Sequence, residues 1–482
     1  MRARLLTGAA ALLLAGPFVL AFFAGGYFDE PRPWAGLVAW LLVAVGAVLA
    51  PRPRPRSTAV KVAVGALLAL ALWTLLSATW APVAGNAFHR GGLALLYAGG
   101  LIAALLLLRD SPTLAAVEPA VVAGTLLVIG YGLSERLLPG LLRFQRSVSA
   151  QGRLEQPLTY WNVMGETAAI GLVVALRMAG DATRHHALRL FATAAAVPLG
   201  VGLFISFSRG ALFAAAAGMV TLVVVAPSRE QWRSGGLALA GAIVGAALSA
   251  PLHSVTSLTG SLATREQQGT IGLILLAATV LLVTGTQWLL IRRETPRPVR
   301  LPHRAPLVAL VVICAGLALA IAVGAKERST QPLSGGTNRL ASLQSNRYSY
   351  WDVALRAFSA EPIRGVGAGG WSVYWLRYRP VAEFAQDAHS LPLQTLAELG
   401  LIGLALLLSS IGGVAVAARR AMARAPAAAA GPIAGAVAYL AHSPLDWDWE
   451  MPAVTLIALL LVGALLALAE ATEPRRSLAP RD

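Results

Sequence analysis

Long apolar runs, each closed by a short polar or proline- and glycine-rich break, recur from one end of the chain to the other. Roughly twenty apolar residues make a helix long enough to cross the hydrocarbon core of a bilayer. The pattern predicts fourteen spans, near 5–24, 34–50, 61–78, 91–108, 113–134, 161–177, 188–205, 210–226, 235–251, 269–291, 306–324, 391–417, 429–442 and 453–469. The thirteenth is short and rich in Ala and Gly. None of the runs alternates with the two-residue period of a membrane barrel, so helices, which satisfy their own backbone groups, are the expected element. The expected fold is an all-α polytopic membrane protein with about 12–14 transmembrane helices and one long extracytoplasmic loop. Residues 1–324 carry the first eleven spans, 325–390 the loop, and 391–482 the last spans and a cytoplasmic tail. Arg2 and Arg4 before the first apolar run resemble the start of a signal peptide. That run is long enough to span and has no small-residue cleavage site, so it is kept as the first helix.

Composition agrees with this pattern. Of 482 residues, 57% are hydrophobic and 13% charged, too few charges to clothe a soluble protein of this length. A net charge of +16 suggests nucleic acid at first sight. The basic residues lie in short loops between apolar runs, where they act as topology signals, and no nucleic-acid partner is expected. With both termini cytoplasmic, 23 of the 39 Lys and Arg fall inside. Twelve of the outer ones sit in two long loops, Arg136, Arg143, Arg146 and Arg153 in one and eight between Lys326 and Arg379 in the other. Long segments translocate largely regardless of charge. The outer arginines therefore mark either an anionic ligand or simple solvation of the loops. The single cysteine, Cys314, excludes a disulfide framework and a cysteine metal site.

The loop 325–390 is too small for an independent domain and is expected to pack on the membrane helices. Residues 348–359 read as an amphipathic helix with Trp351, Leu355 and Phe358 on its apolar face and an Asp352/Arg356 pair opposite. The glycine-rich run Gly365 to Gly370 follows no strand and is no nucleotide loop; it reads as a tight turn or a close approach to another helix. Trp371, Tyr374, Trp375 and Tyr378 form a stripe at helical spacing. The stripe reads as an interfacial belt at the headgroups, with stacking on sugar rings as the alternative.

Several stretches resemble the O-antigen ligase/polymerase superfamily. His389-Ser390, nine residues, then Gly400-Leu401-Ile402-Gly403 fits its histidine motif without a departure. In the same order come Trp73 to Pro82 (WTLLSATWAP), Arg153 to Gly165 (RLEQPLTYWNVMG), which opens a central helix, and Ser206 to Ala211 (SFSRGA). Gln156, Tyr160 and Trp161 stand where the family often has Gly, Asn and Pro, so only the frame of that second stretch carries over. Arg339-Leu340, Asn346-Arg347 with Trp351, and Pro362 with Gly365 to Gly367 follow. His442 to Pro452 (HSPLDWDWEMP) resembles a late outer loop of actinobacterial-type members. The resemblance runs from residue 73 to 460. It implies a GT-C-like glycosyltransferase fold, a polyprenyl-pyrophosphate-linked glycan as donor and a site free of metal and cofactor. It also implies a cytoplasmic (inner) membrane location with the active site extracytoplasmic.

A pyrophosphate leaving group suits arginine, whose planar fork carries a permanent charge. Arg209 lies between two apolar runs, where a charge is costly and marks either function or snorkelling to the interface. With Arg347, Arg339 and Arg153 it forms the expected donor-binding set, and with His389 the expected catalytic pair. An imidazole near neutral pKa can take the proton of an acceptor hydroxyl, or only position it. Asp387, Ser390, Asn162, Glu398 and His442 are expected in support, Asp387 by orienting His389. His442 with Asp446, Asp448 and Glu450 could be drawn as a metal cluster, but a proline-interrupted turn suits a structural or acceptor-side role better. The acceptor is a glycolipid, a glycan or a protein. The rival readings are a glycan polymerase, which differs in its lipid-linked glycan acceptor, and a polysaccharide or lipid flippase or transporter. The latter commonly shows paired halves, and none are seen here.

Overall fold

The structure is a computed structural model that describes residues 1–51, 54–294, 297–326 and 346–471. Among these residues helices dominate, and the only pairing of extended backbone is an isolated bridge between Ser228 and Pro298. Every expected span is a helix. Ten are long and apolar enough to cross a membrane: Arg2–Ala21, Pro31–Leu49, Thr58–Thr79, Ala84–Leu107, Ser111–Leu137, Trp161–Gly180, His186–Ile205, Leu262–Arg292, Leu391–Arg424 and Pro452–Glu470. Arg209–Val225, Gly236–Ser249, Ala305–Lys326 and Pro426–His442 fill the remaining four places. The protein is thus an all-α polytopic membrane protein.

Trp161–Gly180 is the axis of the bundle, with its apolar window wholly buried. His186–Ile205, Arg209–Val225, Pro426–His442 and Ser111–Leu137 pack around it. Small residues allow these close approaches. A side chain at Gly171 would collide with Thr125, and one at Gly435 with Leu461. Helices on the rim, such as Pro31–Leu49 and Leu262–Arg292, bury only about a fifth of their apolar windows and leave the rest to lipid.

The turns fall into two sets that meet at opposite ends of the bundle. At one end Tyr160 bonds to Asp446, Tyr27 to Gln386, Trp80 to Gly365 and Arg32 to Glu450. At the other, Ser57 bonds to Glu470, Arg184 to Glu118 and Arg189 to Glu294. This is the partition that the Lys and Arg distribution calls for. The histidine loop lies in the first set.

The described part of the long loop packs on the membrane helices as expected, through a small core of its own. Trp371 and Trp375 stack 5.6 Å apart with Tyr350 edge-on to both. Both indoles are fully buried, against Val353, Ala357 and Ala397. This corrects the interfacial-belt reading for the two indoles, while Tyr374 of the same stripe is partly buried and Tyr378 exposed. The amphipathic helix needs a correction too. Arg347–Ala360 buries Tyr350, Val353, Ala354 and Ala357, and leaves Leu355 exposed with Trp351 and Phe358 only partly covered. Small and β-branched residues that approach the indoles closely outcompete the larger side chains for the inner face.

Candidate functional site

The histidine motif marks a break in a helix. Leu391–Arg424 is 34 residues long, about 50 Å at 1.5 Å per residue, and is interrupted at Gly400. Gly400 has φ 67° and ψ −163°, a region that only glycine enters readily. A side chain there would collide with the backbone of Ile363. The bonds that the break removes are replaced from outside. Val366 N donates to Ala397 O at 3.0 Å, Gly367 N to Glu398 O at 2.8 Å and Leu401 N to Pro362 O at 2.9 Å. Trp73 Nε1 donates to Leu399 O and Trp80 Nε1 to Gly365 O, each at 3.1 Å. The glycine-rich run is therefore the close approach expected of it, and the early Trp/Ser/Trp segment is its scaffold. Ser77 adds an oxygen that accepts from Ala368 N.

Just before this broken helix the chain turns sharply. His389 has φ +53°, the left-handed region that a non-glycine residue seldom adopts. Its Nδ1 lies 2.9 Å from the carbonyl oxygen of Asp387. A carbonyl only accepts, so Nδ1 carries the hydrogen and Nε2 keeps its lone pair. The ring is partly buried, 5.0 Å from Tyr350 and 5.9 Å from Trp447. Burial, with the charge of Arg347 nearby, holds its pKa below the usual 6.5, against the opposing pull of Asp446.

Asp446 is the hub opposite. It is fully buried and accepts from Tyr160 Oη at 2.9 Å, Asn162 Nδ2 at 2.7 Å and its neighbour Trp447 N at 3.0 Å. Arg347 Nη2 completes the set at 2.6 Å. Burial alone would raise its pKa, but Arg347, with His389 and His442 behind it, holds the carboxyl below its usual range. Three other segments thus converge on the turn after His442: the loop before the central helix through Tyr160, the start of that helix through Asn162, and the long loop before His389 through Arg347.

Asp387 meets His389 through its backbone carbonyl. Its carboxylate points away and pairs with Arg90, whose guanidinium also pairs with Glu450. Gln394 Nε2 donates to the same Asp387 carboxylate at 3.0 Å. Arg90 therefore ties the turn of His389 to the turn of Asp446. Glu398 is buried beside this pair and accepts from Trp371 N at 3.3 Å. Ser390 caps the broken helix by its backbone, its carbonyl accepting from Gln394 N.

His442 is fully buried, with Nδ1 2.6 Å from Asp448 and 4.0 Å from Glu166. The acidic residues after it do not gather round one point: Asp448 pairs with His442, Asp446 with Arg347 and Glu450 with Arg90. Arg209 is the first residue of Arg209–Val225, whose start is capped by Ser208 Oγ accepting from Ala211 N. The next residue, Gly210, makes room for the His442 ring; a Cβ there would lie 2.8 Å from Nε2. Arg153 is buried in its own loop, donating to Ser149 O and Ala150 O and lying 3.6 Å over the Trp161 ring. Arg339 lies outside the described residues.

Sequence reasoning missed Arg90, Tyr160, Tyr350 and the role of Asp446. Arg90 carries a signal like that of Arg209, a charge at the edge of an apolar run. Tyr160 and Asp446 carry none, because each becomes informative only across 286 positions of chain.

Residues 252–408 match a family model described as O-antigen ligase. The stretch covers the histidine motif, the helix break and Arg347. No curated protein matches the chain. The family match, over the segment that carries His389 and Gly400, supports this chain as an O-antigen ligase-like superfamily member.

Proposed function

We propose that this protein is a membrane glycosyltransferase that moves a glycan from a polyprenyl-pyrophosphate carrier to an acceptor hydroxyl on the outer face of the cytoplasmic membrane. The observation that carries the reading is the imidazole of His389, held by the Asp387 carbonyl so that Nε2 is free to accept a proton, beside the Arg347–Asp446 pair. In the proposed step the acceptor oxygen attacks the anomeric carbon and forms the new glycosidic bond. The bond from that carbon to the carrier's phosphate oxygen breaks, and its electron pair leaves with the pyrophosphate. Nε2 of His389 takes the proton of the acceptor hydroxyl. A single displacement inverts the anomeric centre. Arg347 and Arg209 hold the departing pyrophosphate by charge, a contribution that grows as negative charge develops. Asp446 keeps Arg347 in place, and Arg90 keeps the two turns in register. Arg153 is assigned to its loop and not to the donor.

Purified protein incubated with a polyprenyl-pyrophosphate glycan and a panel of glycolipid, glycan and protein acceptors tests this reading. Wild type should transfer glycan, while His389→Ala and Arg209→Ala, with unchanged thermal stability, should lose about a hundredfold or more. Donor left unconsumed with every acceptor, or variants as active as wild type, would overturn it.

A further inference from the structure

Between Arg2–Ala21 and Pro31–Leu49, against Ala84–Leu107 and Pro452–Glu470, lies an apolar groove of about 800 Å³. Its walls include Leu13, Pro17, Phe23, Trp34, Leu42 and Leu456. The lining on the first helix runs from Leu12 to Leu20, about 12 Å at 1.5 Å per residue. That is most of the depth of one leaflet's hydrocarbon.

One end of the groove lies next to Tyr27, two ring contacts from His389. Phe28 and Glu30 line it, and between them and the histidine turn stands Tyr27. The Tyr27 ring meets Trp447 edge-on at 5.0 Å, and its hydroxyl lies 3.4 Å from Gln386 Oε1. Trp447 in turn lies against His389. At the mouth Glu30 lines the groove and is exposed, while Asp29 beside it is held by Arg32 and His89. Its arginine is committed: Arg32 donates to Gly26 O and Glu450 O and pairs with Asp29. Such a mouth repels a pyrophosphate. The arginines assigned to the pyrophosphate, Arg347 and Arg209, belong to helices that do not line the groove.

We propose that this groove seats the hydrocarbon chain of a membrane-anchored acceptor, a lipid with an uncharged, hydroxyl-bearing head, and so delivers its hydroxyl to His389 from the side opposite the donor. The proposal rests on the glycosyltransferase reading and narrows its acceptor to a lipid. Gly16 supplies the test. It lines the groove, and a Cβ there meets nothing within 4 Å, so Gly16→Phe projects its ring into the groove. Gly8, on the same helix, is equally open and does not line the groove; Gly8→Phe is the control.

The probe is hexadecyl glucoside carrying a diazirine at the end of its chain, irradiated with the full-length protein in nanodiscs, followed by mapping of the labelled peptides. The label is expected on the two groove-forming helices, reduced about tenfold by Gly16→Phe and unchanged by Gly8→Phe. Unlabelled hexadecyl glucoside should displace it, and polyprenyl pyrophosphate should not. Label spread over all lipid-facing helices and unaffected by Gly16→Phe would overturn the proposal in favour of ordinary bilayer lipid. Displacement by polyprenyl pyrophosphate would overturn it in favour of the donor's chain. Labelling does not depend on turnover, so this proposal and the transfer reading fail separately.

Discussion

Replacing Arg90 by Met tests whether one buried cation aligns the two halves of the site. Met keeps the length of the apolar stem and removes the charge. In the folded protein Arg90 pairs with Asp387 and Glu450, whose side chains are each only 5% exposed. Breaking a buried pair from one side costs about 3–5 kcal/mol, because the remaining carboxylate keeps its desolvation penalty and loses its compensation. Gln394 Nε2 still donates to Asp387, so that carboxylate keeps a partner and the loss falls mainly on Glu450. The expected total is therefore near a single broken pair, about 4 kcal/mol, rather than twice that. Asp387 lies two residues before His389 and Glu450 four after Asp446, so the same loss lets both turns drift. A misplacement of about 1 Å in a reacting group is worth on the order of a hundredfold in rate. Thermal unfolding in detergent and transfer rate should both fall in Arg90→Met. Adding Asp387→Asn and Glu450→Gln removes the stranded charges and should restore most of the melting temperature without restoring the rate. Wild-type transfer by Arg90→Met, or full recovery of rate in the triple variant, would refute the claim that Arg90 aligns the site.

Gly400→Ala forces a side chain into a glycine-only conformation against Ile363, which costs about 1–3 kcal/mol in strain before the clash is counted. Its folded yield and melting temperature should drop, while Gly412→Ala on the same helix, with open space around it, should match wild type. Trp73→Phe leaves Leu399 O without its outside donor and should lower stability by about 1 kcal/mol in the same melting assay. The proposed base works as neutral imidazole, so activity is present above the His389 pKa and lost as pH falls through it. Because that pKa lies below 6.5, the acid limb of the kcat/KM profile should lie below 6.5 as well. Arg347→Met removes a positive charge that lowers this pKa and frees Asp446, which raises it, so the limb should move to higher pH in the residual activity. A limb that stays in place would contradict the coupling.

The membrane architecture was legible because bilayer crossing imposes a local rule, a run of apolar residues, on every span. Which loops share an end of the bundle was legible for a similar reason: short loops obey a charge bias, and the bonded ends of the bundle sort the loops into the same two groups. His389 and Gly400 could be read from spacing, but their meaning could not. The spacing fits a left-handed turn, a helix start and a break ten residues into that helix, and the physical demand for glycine at 400 appears only against Ile363. The aromatic stripe at Trp371 and Trp375 misled because a core face and a membrane-facing face share one period. The pairing of Arg347 with Asp446, and of Arg90 with Asp387 and Glu450, lay beyond sequence reasoning. Each joins elements about a hundred or more positions apart, and a lone charge does not name its partner.

The proposed transfer stands or falls on His389 as the proton acceptor. The decisive measurement is the transfer rate of purified wild type and His389→Ala from a polyprenyl-pyrophosphate glycan, in the presence of EDTA, across the pH range. Wild type should transfer with an acid limb, and the variant should lose about 10²–10⁴-fold together with that limb. Transfer by His389→Ala at the wild-type rate, or a variant profile that keeps the same limb, would contradict it.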